Sequence, residues 1–129
     1  MTAVLRRALL VLALGALVAD LAGCARKRIV PPGVSQVEAK LGETIVLQFP
    51  ASPTTGYSWT LRGRIDVNVV ALVGIDYEAE ANAVAGSGGL TRVTFEAVGR
   101  GTTTVTLDYR RPWEAAPPEK TETVTIVVK

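Results

Sequence analysis

Histidine is absent from this chain and cysteine occurs once, at Cys24. A Cys–His or Ser–His nucleophilic pair therefore cannot be assembled, and neither can a histidine-ligated metal site. The carboxylates are scattered along strand-like runs without paired spacing in a Gly-rich or aromatic context, the usual pattern of a solvated sheet face. No catalysis, cofactor or metal is expected. What remains is the chemistry of contact, concentrated in three motifs: Ser52-Pro53-Thr54-Thr55-Gly56-Tyr57, Gly86-Ser87-Gly88-Gly89 and Arg111-Pro112-Trp113. In the first, Pro53 fixes its own φ and biases Ser52 toward an extended shape, while Gly56 can take a positive φ that a Cβ resists. A rigid, narrow projection is expected there. The second lacks Cβ atoms at three of four positions, so its backbone can approach another surface closely. Gly-Ser connections also fit many ordinary turns, and the strand-like Leu90–Ala97 that follows offers no helix N-terminus for a phosphate. In the third, Trp113 precedes Glu114-Ala115-Ala116-Pro117-Pro118, a stretch without the apolar alternation that would bury an indole. An exposed tryptophan on a stiff loop is a candidate hot spot; the competing reading packs it back onto the body.

Each motif lies between runs that alternate apolar and polar residues. Ile45, Leu47 and Phe49 form one such run, and Tyr57, Trp59 and Leu61 the next. Val93, Phe95 and Ala97, then Val105, Leu107 and Tyr109, then Val124, Ile126 and Val128 repeat the period of two. Val, Ile and Thr dominate these half-buried strands, and no run after residue 23 has helical spacing. A shorter first strand is expected around Val34–Ala39, turning at Leu41-Gly42. The pattern predicts an all-β, immunoglobulin-like β-sandwich of one domain, with Trp59 a core residue on the third strand and no disulfide. With strands alternating in direction, loops two, four and six share one end, and these carry the motifs. That parity depends on Val67–Ala81, where Gly74 marks either a bulge in one strand or a turn between two.

In this order and spacing the motifs resemble those of the chagasin family, inhibitors of papain-like cysteine peptidases, whose loops read N-P-T-T-G-[YF], G-x-G-G and R-P-W. The resemblance favours a single bulged strand over 67–81. It implies one paratope built from three loops, with Pro53, Thr54, Thr55, Gly56 and Tyr57 on the first. Thr54, Thr55 and Gly56 would lie nearest the enzyme's cysteine. Gly86, Ser87, Gly88 and Gly89 would supply backbone contacts along the cleft, and Arg111, Pro112 and Trp113 would grip its other side. Ser52 stands where the family usually has Asn, and serine makes the same local side-chain-to-backbone bond more weakly. The implied partner is a papain-like cysteine peptidase, inhibited reversibly and without a cofactor. A reading from another class is a non-inhibitory, envelope-anchored β-sandwich module that binds a protein or glycan.

The first residues have the layout of a bacterial secretory signal: Arg6 and Arg7, an apolar stretch from Ala8 to Val18, then Leu21-Ala22-Gly23-Cys24. Ala22 and Gly23 before the only cysteine resemble a lipobox, which makes Cys24 the expected site of lipidation; the alternative is an ordinary signal with an incidental cysteine. The expected division is a signal over 1–23, a lipid-anchored tether over 24–33 and a sandwich over 34–129, large enough for one core. The tether would carry the basic cluster Arg26-Lys27-Arg28 and end at Pro31-Pro32-Gly33. The formal net charge of +2 gives no reason to expect nucleic acid. The expected product is a monomeric lipoprotein of the cell envelope, held by its membrane anchor. Ala25 is not the aspartate that often retains lipoproteins at an inner membrane, which leans toward the outer membrane where two exist.

Overall fold

The computed structural model describes residues 26–80 and 88–129; Cys24, the signal-like segment, Gly86 and Ser87 lie outside the described residues. Eight strands run in chain order: β1 (Lys27–Val30), β2 (Gln36–Ala39), β3 (Thr44–Ala51), β4 (Ser58–Leu61), β5 (Val70–Ala79), β6 (Gly89–Ala97), β7 (Gly101–Arg110) and β8 (Lys120–Val128). They form two four-stranded sheets, ordered β1-β3-β6-β5 and β2-β8-β7-β4. The alternating residues meet between the sheets. Ile45, Leu47, Val93 and Phe95 from one sheet face Val105, Leu107 and Ile126 from the other, all essentially inaccessible to solvent. Burying each such side chain contributes about 1.5–3 kcal/mol. Trp59 is buried as expected, packed between Phe49 and Tyr109, and its Nε1 donates to the Pro50 carbonyl at 2.9 Å. Among the described residues, every member of the core cluster lies between Val30 and Val128.

Two boundaries differ from the expectation. Residues 24–33 do not act throughout as a tether, because Lys27–Val30 form β1, paired in parallel with β3 from Lys27 opposite Thr44 to Val30 opposite Leu47. Only Val30 of its four residues is buried, so no alternation announced it. Its order comes from the neighbouring strand's free edge. With β1 counted, Trp59 falls on the fourth strand, and the strand expected over 34–39 begins at Gln36. The described part of the 67–81 region holds one strand, β5, which begins at Val70 after a turn over 67–69 and has its irregularity between Leu72 and Gly74. Val73 is the extra residue there and is 65% exposed, while Gly74 resumes pairing opposite Thr94.

This connectivity decides where the motifs go. Ala51 at the end of β3 pairs with Gly89 at the start of β6, which in turn pairs with Ala79 at the end of β5. In the other sheet Ser58 opens β4 opposite Arg110, and Tyr109 faces Lys120. All three motif-bearing connections, β3–β4, β5–β6 and β7–β8, therefore leave the same end of the sandwich.

On the outer face of the second sheet, the Asp108 carboxylate is buried beneath a forked contact from Arg62. Arg62 Nε donates to Oδ2 at 2.8 Å and Nη2 to Oδ1 at 2.6 Å, and the Thr121 hydroxyl donates to Oδ1 at 2.9 Å. The Arg62 hydrogen bonds hold the Asp108 carboxyl below its ordinary range; burial opposes this, and Thr121 adds to the depression. A depressed folded pKa means stability present above the unfolded value and lost as pH falls through the folded one. The stability difference between the parent and Asp108→Asn is therefore expected to be full above about pH 4 and to shrink on further acidification. Urea midpoints for both proteins across that range would measure it, and a gap independent of pH would contradict the assignment.

Candidate functional site

The first loop is shaped by its own sequence. Pro53–Thr55 form a single 3-10 turn, the Thr55 amide donates to the Ser52 carbonyl at 3.1 Å and the Gly56 amide to Pro53 at 3.0 Å. Gly56 closes the turn in the left-handed region with φ +84°. The Ser52 side chain makes no capping bond. Other bonds stiffen the turn: Thr55 Oγ1 donates to the Ser52 carbonyl at 2.6 Å, and the Ser52 amide donates to the Tyr109 hydroxyl at 3.0 Å.

The third loop folds onto the first. The Arg111 guanidinium lies 4.5 Å from the centroid of the Tyr57 ring, its Nε donates to the Thr55 carbonyl at 3.0 Å, and its Nη1 pairs with Glu114 Oε1 at 3.1 Å. The Glu114 bond raises the already high pKa of Arg111, so the bracket stays charged at any accessible pH. Arg110 Nη2 donates to the Glu114 carbonyl at 3.1 Å and holds the loop's return. Trp113 is 71% exposed, so its indole does not pack back into the body, yet its ring edge covers Gly56. A Cβ at Gly56 would stand 2.5 Å from Trp113 Cη2. Positive φ and the overlying ring thus both require glycine here.

Of the second motif, Gly88 and Gly89 are described. Gly89 fits against β5 so closely that a Cβ would overlap the Glu78 carbonyl, and one at Gly88 would stand 3.2 Å from the Ala51 carbonyl. These glycines place the stem of the β5–β6 connection beside the start of the first loop. A shallow concavity lies between them, lined by Pro50, Ala51, Ser52, Glu80 and Gly88. Among the described residues the structure thus brings together Pro53, Thr54, Thr55, Gly56, Tyr57, Arg111, Pro112 and Trp113 as one ridge, with Gly88 and Gly89 at its flank.

Comparison with known proteins gives the arrangement a family. A family model described as the Chagasin family peptidase inhibitor I42 matches residues 38–128. The chain belongs to the chagasin family of peptidase inhibitors. It is 27% identical to Amoebiasin-2 of Entamoeba histolytica over 88 residues, covering 67% of this chain and 72% of that one. Identity to Chagasin of Trypanosoma cruzi is 29% over 92 residues, covering 69% and 83%. The crystal structure of the cysteine protease inhibitor EhICP2 from Entamoeba histolytica superimposes with a TM-score of 0.69 at 22% identity, over 82% of this chain and 98% of that one. That likeness is one of fold. The described residues of the three motifs lie at the connections that share one end of this sandwich.

Two participants were not legible as site residues. Tyr109 reads as an inward strand residue, and nothing in the alternation reports that its hydroxyl reaches the first loop. Glu114 reads as one polar residue in a loop, although its position three after Arg111 was a signal available for an ion pair. Gly56 and Trp113 are expected to be coupled. Gly56→Ala should lower stability by about 1–2 kcal/mol through the left-handed φ, and by more while the indole lies over it. In a Trp113→Ala background the cost should fall to the φ contribution alone. A double-mutant cycle on denaturant midpoints measures this, and strict additivity would rule the contact out.

Proposed function

We propose that this chain is an exported lipoprotein that reversibly inhibits papain-like cysteine peptidases by occluding the active-site cleft. The observation that carries the reading is the single ridge formed when Arg111 brackets the Thr55–Tyr57 turn and Trp113 stands exposed above Gly56. A ridge already ordered by hydrogen bonds and a left-handed glycine enters a narrow cleft with little further ordering cost, which favours affinity without added area. Thr54, Thr55 and Gly56 at its crest would approach the catalytic cysteine. The stem of the second connection, with Gly86, Ser87, Gly88 and Gly89, would run along one wall of the cleft, and Pro112 and Trp113 would press on the other. Arg111 faces the first loop rather than outward, so its part is to position the crest. Family membership and the cysteine protease inhibitor among its structural likenesses support the same partner class. Lipidation of Cys24 after removal of residues 1–23 would hold the inhibitor at the cell envelope, on the outer membrane where there are two.

With the chain from Ala25 onward, papain cleavage of a fluorogenic substrate is expected to be inhibited reversibly. Trp113→Ala should weaken inhibition about thirtyfold, on the order of 2 kcal/mol, mainly through faster dissociation and with little change in melting temperature. Equal inhibition by both proteins would remove the ridge from the mechanism, and no inhibition by the parent would leave the non-inhibitory envelope module in its place.

The anchor is read separately. Expressed in a lipoprotein-processing bacterium, the parent should incorporate labelled palmitate and Cys24→Ser should not, while the inhibition constant of the folded domain is unchanged. Label in the Cys24→Ser protein would assign the lipid elsewhere.

A further inference from the structure

The parallel pairing of β1 with β3 has a directional consequence. β3 runs from Thr44 to Ala51, at whose end the inhibitory loops begin, and β1 starts opposite Thr44. The Arg26 carbonyl accepts from the Thr44 amide at 2.8 Å, so the chain is already fixed to the sandwich at Arg26. Cys24 lies two residues earlier, a reach of at most about 7 Å. Resting on the proposed lipid anchor, this geometry leaves almost no tether. The end of the sandwich opposite the loops would be held against the bilayer, with the loops a strand's length of about 26 Å farther out.

The composition of that end fits such a surface. The turn between β2 and β3 exposes Lys40 and Leu41, and the turn between β6 and β7 exposes Val98 and Arg100. Backbone bonds from Leu41 to the Lys129 carbonyl and from Gly42 to the Ala97 carbonyl stitch these turns into one face. Leu41 and Val98 are 42% and 44% exposed. Among the described ion pairs none engages Arg26, Lys40 or Arg100, whereas Glu43, the acid within the first turn, is buried and paired with Arg28. The β4–β5 connection reaches the same end, where the Val98 amide donates to the Val69 carbonyl, and it adds exposed Asp66 and Val67. Arg26, Lys40 and Arg100 outweigh the Asp66 charge, and with Leu41, Val67 and Val98 they match an anionic lipid surface, where a basic patch supplements a lipid chain. We propose that this pole is a membrane-docking face for anionic phospholipid, which orients the inhibitor with its loops directed away from the bilayer.

The test places one label at each pole. The lipidated full chain carrying Val98→Cys or Ala115→Cys is labelled with an environment-sensitive fluorophore and reconstituted into phosphatidylglycerol–phosphatidylcholine vesicles with brominated acyl chains. Quenching at position 98 is expected to exceed that at 115 by at least about twofold, and combined Arg26→Glu, Lys40→Glu and Arg100→Glu substitution should abolish the difference. Retained papain inhibition checks that this variant folds. Equal quenching at both positions overturns the proposal, and so does shielding of position 98 from an aqueous quencher without quenching by lipid, which would indicate a protein occupant. Should the full chain fail to float with vesicles, the anchor reading fails, and the face is judged on the chain from Ala25 onward. That chain is expected to float with phosphatidylglycerol vesicles at low salt at least about tenfold better than with phosphatidylcholine; no preference would overturn the docking face itself.

Discussion

Tyr109 stands where the core ends and the loops begin, and the geometry of the ridge depends on it. Its ring lies 4.9 Å from Trp59 and 5.3 Å from Tyr57, while its hydroxyl accepts from the Ser52 amide. One side chain therefore joins three things: the buried aromatic cluster, the entrance of the first loop and, one residue before Arg110, the base of the third. The next layer is built on Tyr57. Held flat against Tyr109, its ring offers a face to the Arg111 guanidinium, which fixes the Thr55 carbonyl and Glu114. Order passes outward from a closed core through stacked aromatics to an exposed turn.

This construction suits inhibition by occlusion. The chain brings no histidine to the partner's active site, and its guanidinium bracket is permanently charged. Its contribution is shape, held in place before the encounter. Conformational entropy lost by a loop on binding subtracts directly from affinity, so a turn closed by Thr55, Gly56 and Tyr109 retains more of what its contacts supply. Gly56 serves this in two ways, because the positive φ that closes the turn also leaves the space that Trp113 covers.

The two ends of the sandwich differ in composition. Alternation packs the middle, leaving the connections at each end free to specialise. At one end proline, glycine and tryptophan make a stiff ridge; at the other, the β2–β3 and β6–β7 turns carry the lysine, arginine, leucine and valine of the proposed membrane face. The parallel edge strand β1 determines which end the chain enters, and so sets the ridge at the end far from the proposed lipid anchor.

Local chemistry was enough to read much of this chain. Period-two alternation in β3, β6, β7 and β8 determines strands with one buried face, since each shift by one residue would exchange the buried and solvated sets. The turn chemistry of Pro53 and Gly56 and the apolar-poor context of Trp113 likewise depend on neighbours in sequence, and both were legible. The bulge at Val73 left its mark as Gly74 in an otherwise strand-like run, although the sequence alone did not exclude a turn. Tertiary structure alone decided the rest. β1 is a strand because β3 has an edge to offer, an interaction in which exposed Lys27, Arg28 and Ile29 carry no pattern. The Ser52–Tyr109 bond spans 57 positions and the Arg111–Thr55 bond 56, and the contact of Trp113 with Gly56 is equally non-local. Such contacts arise only after two sheets have brought separate loops to one end, so hydrophobic period and turn propensity, which act over a few residues, carry no trace of them.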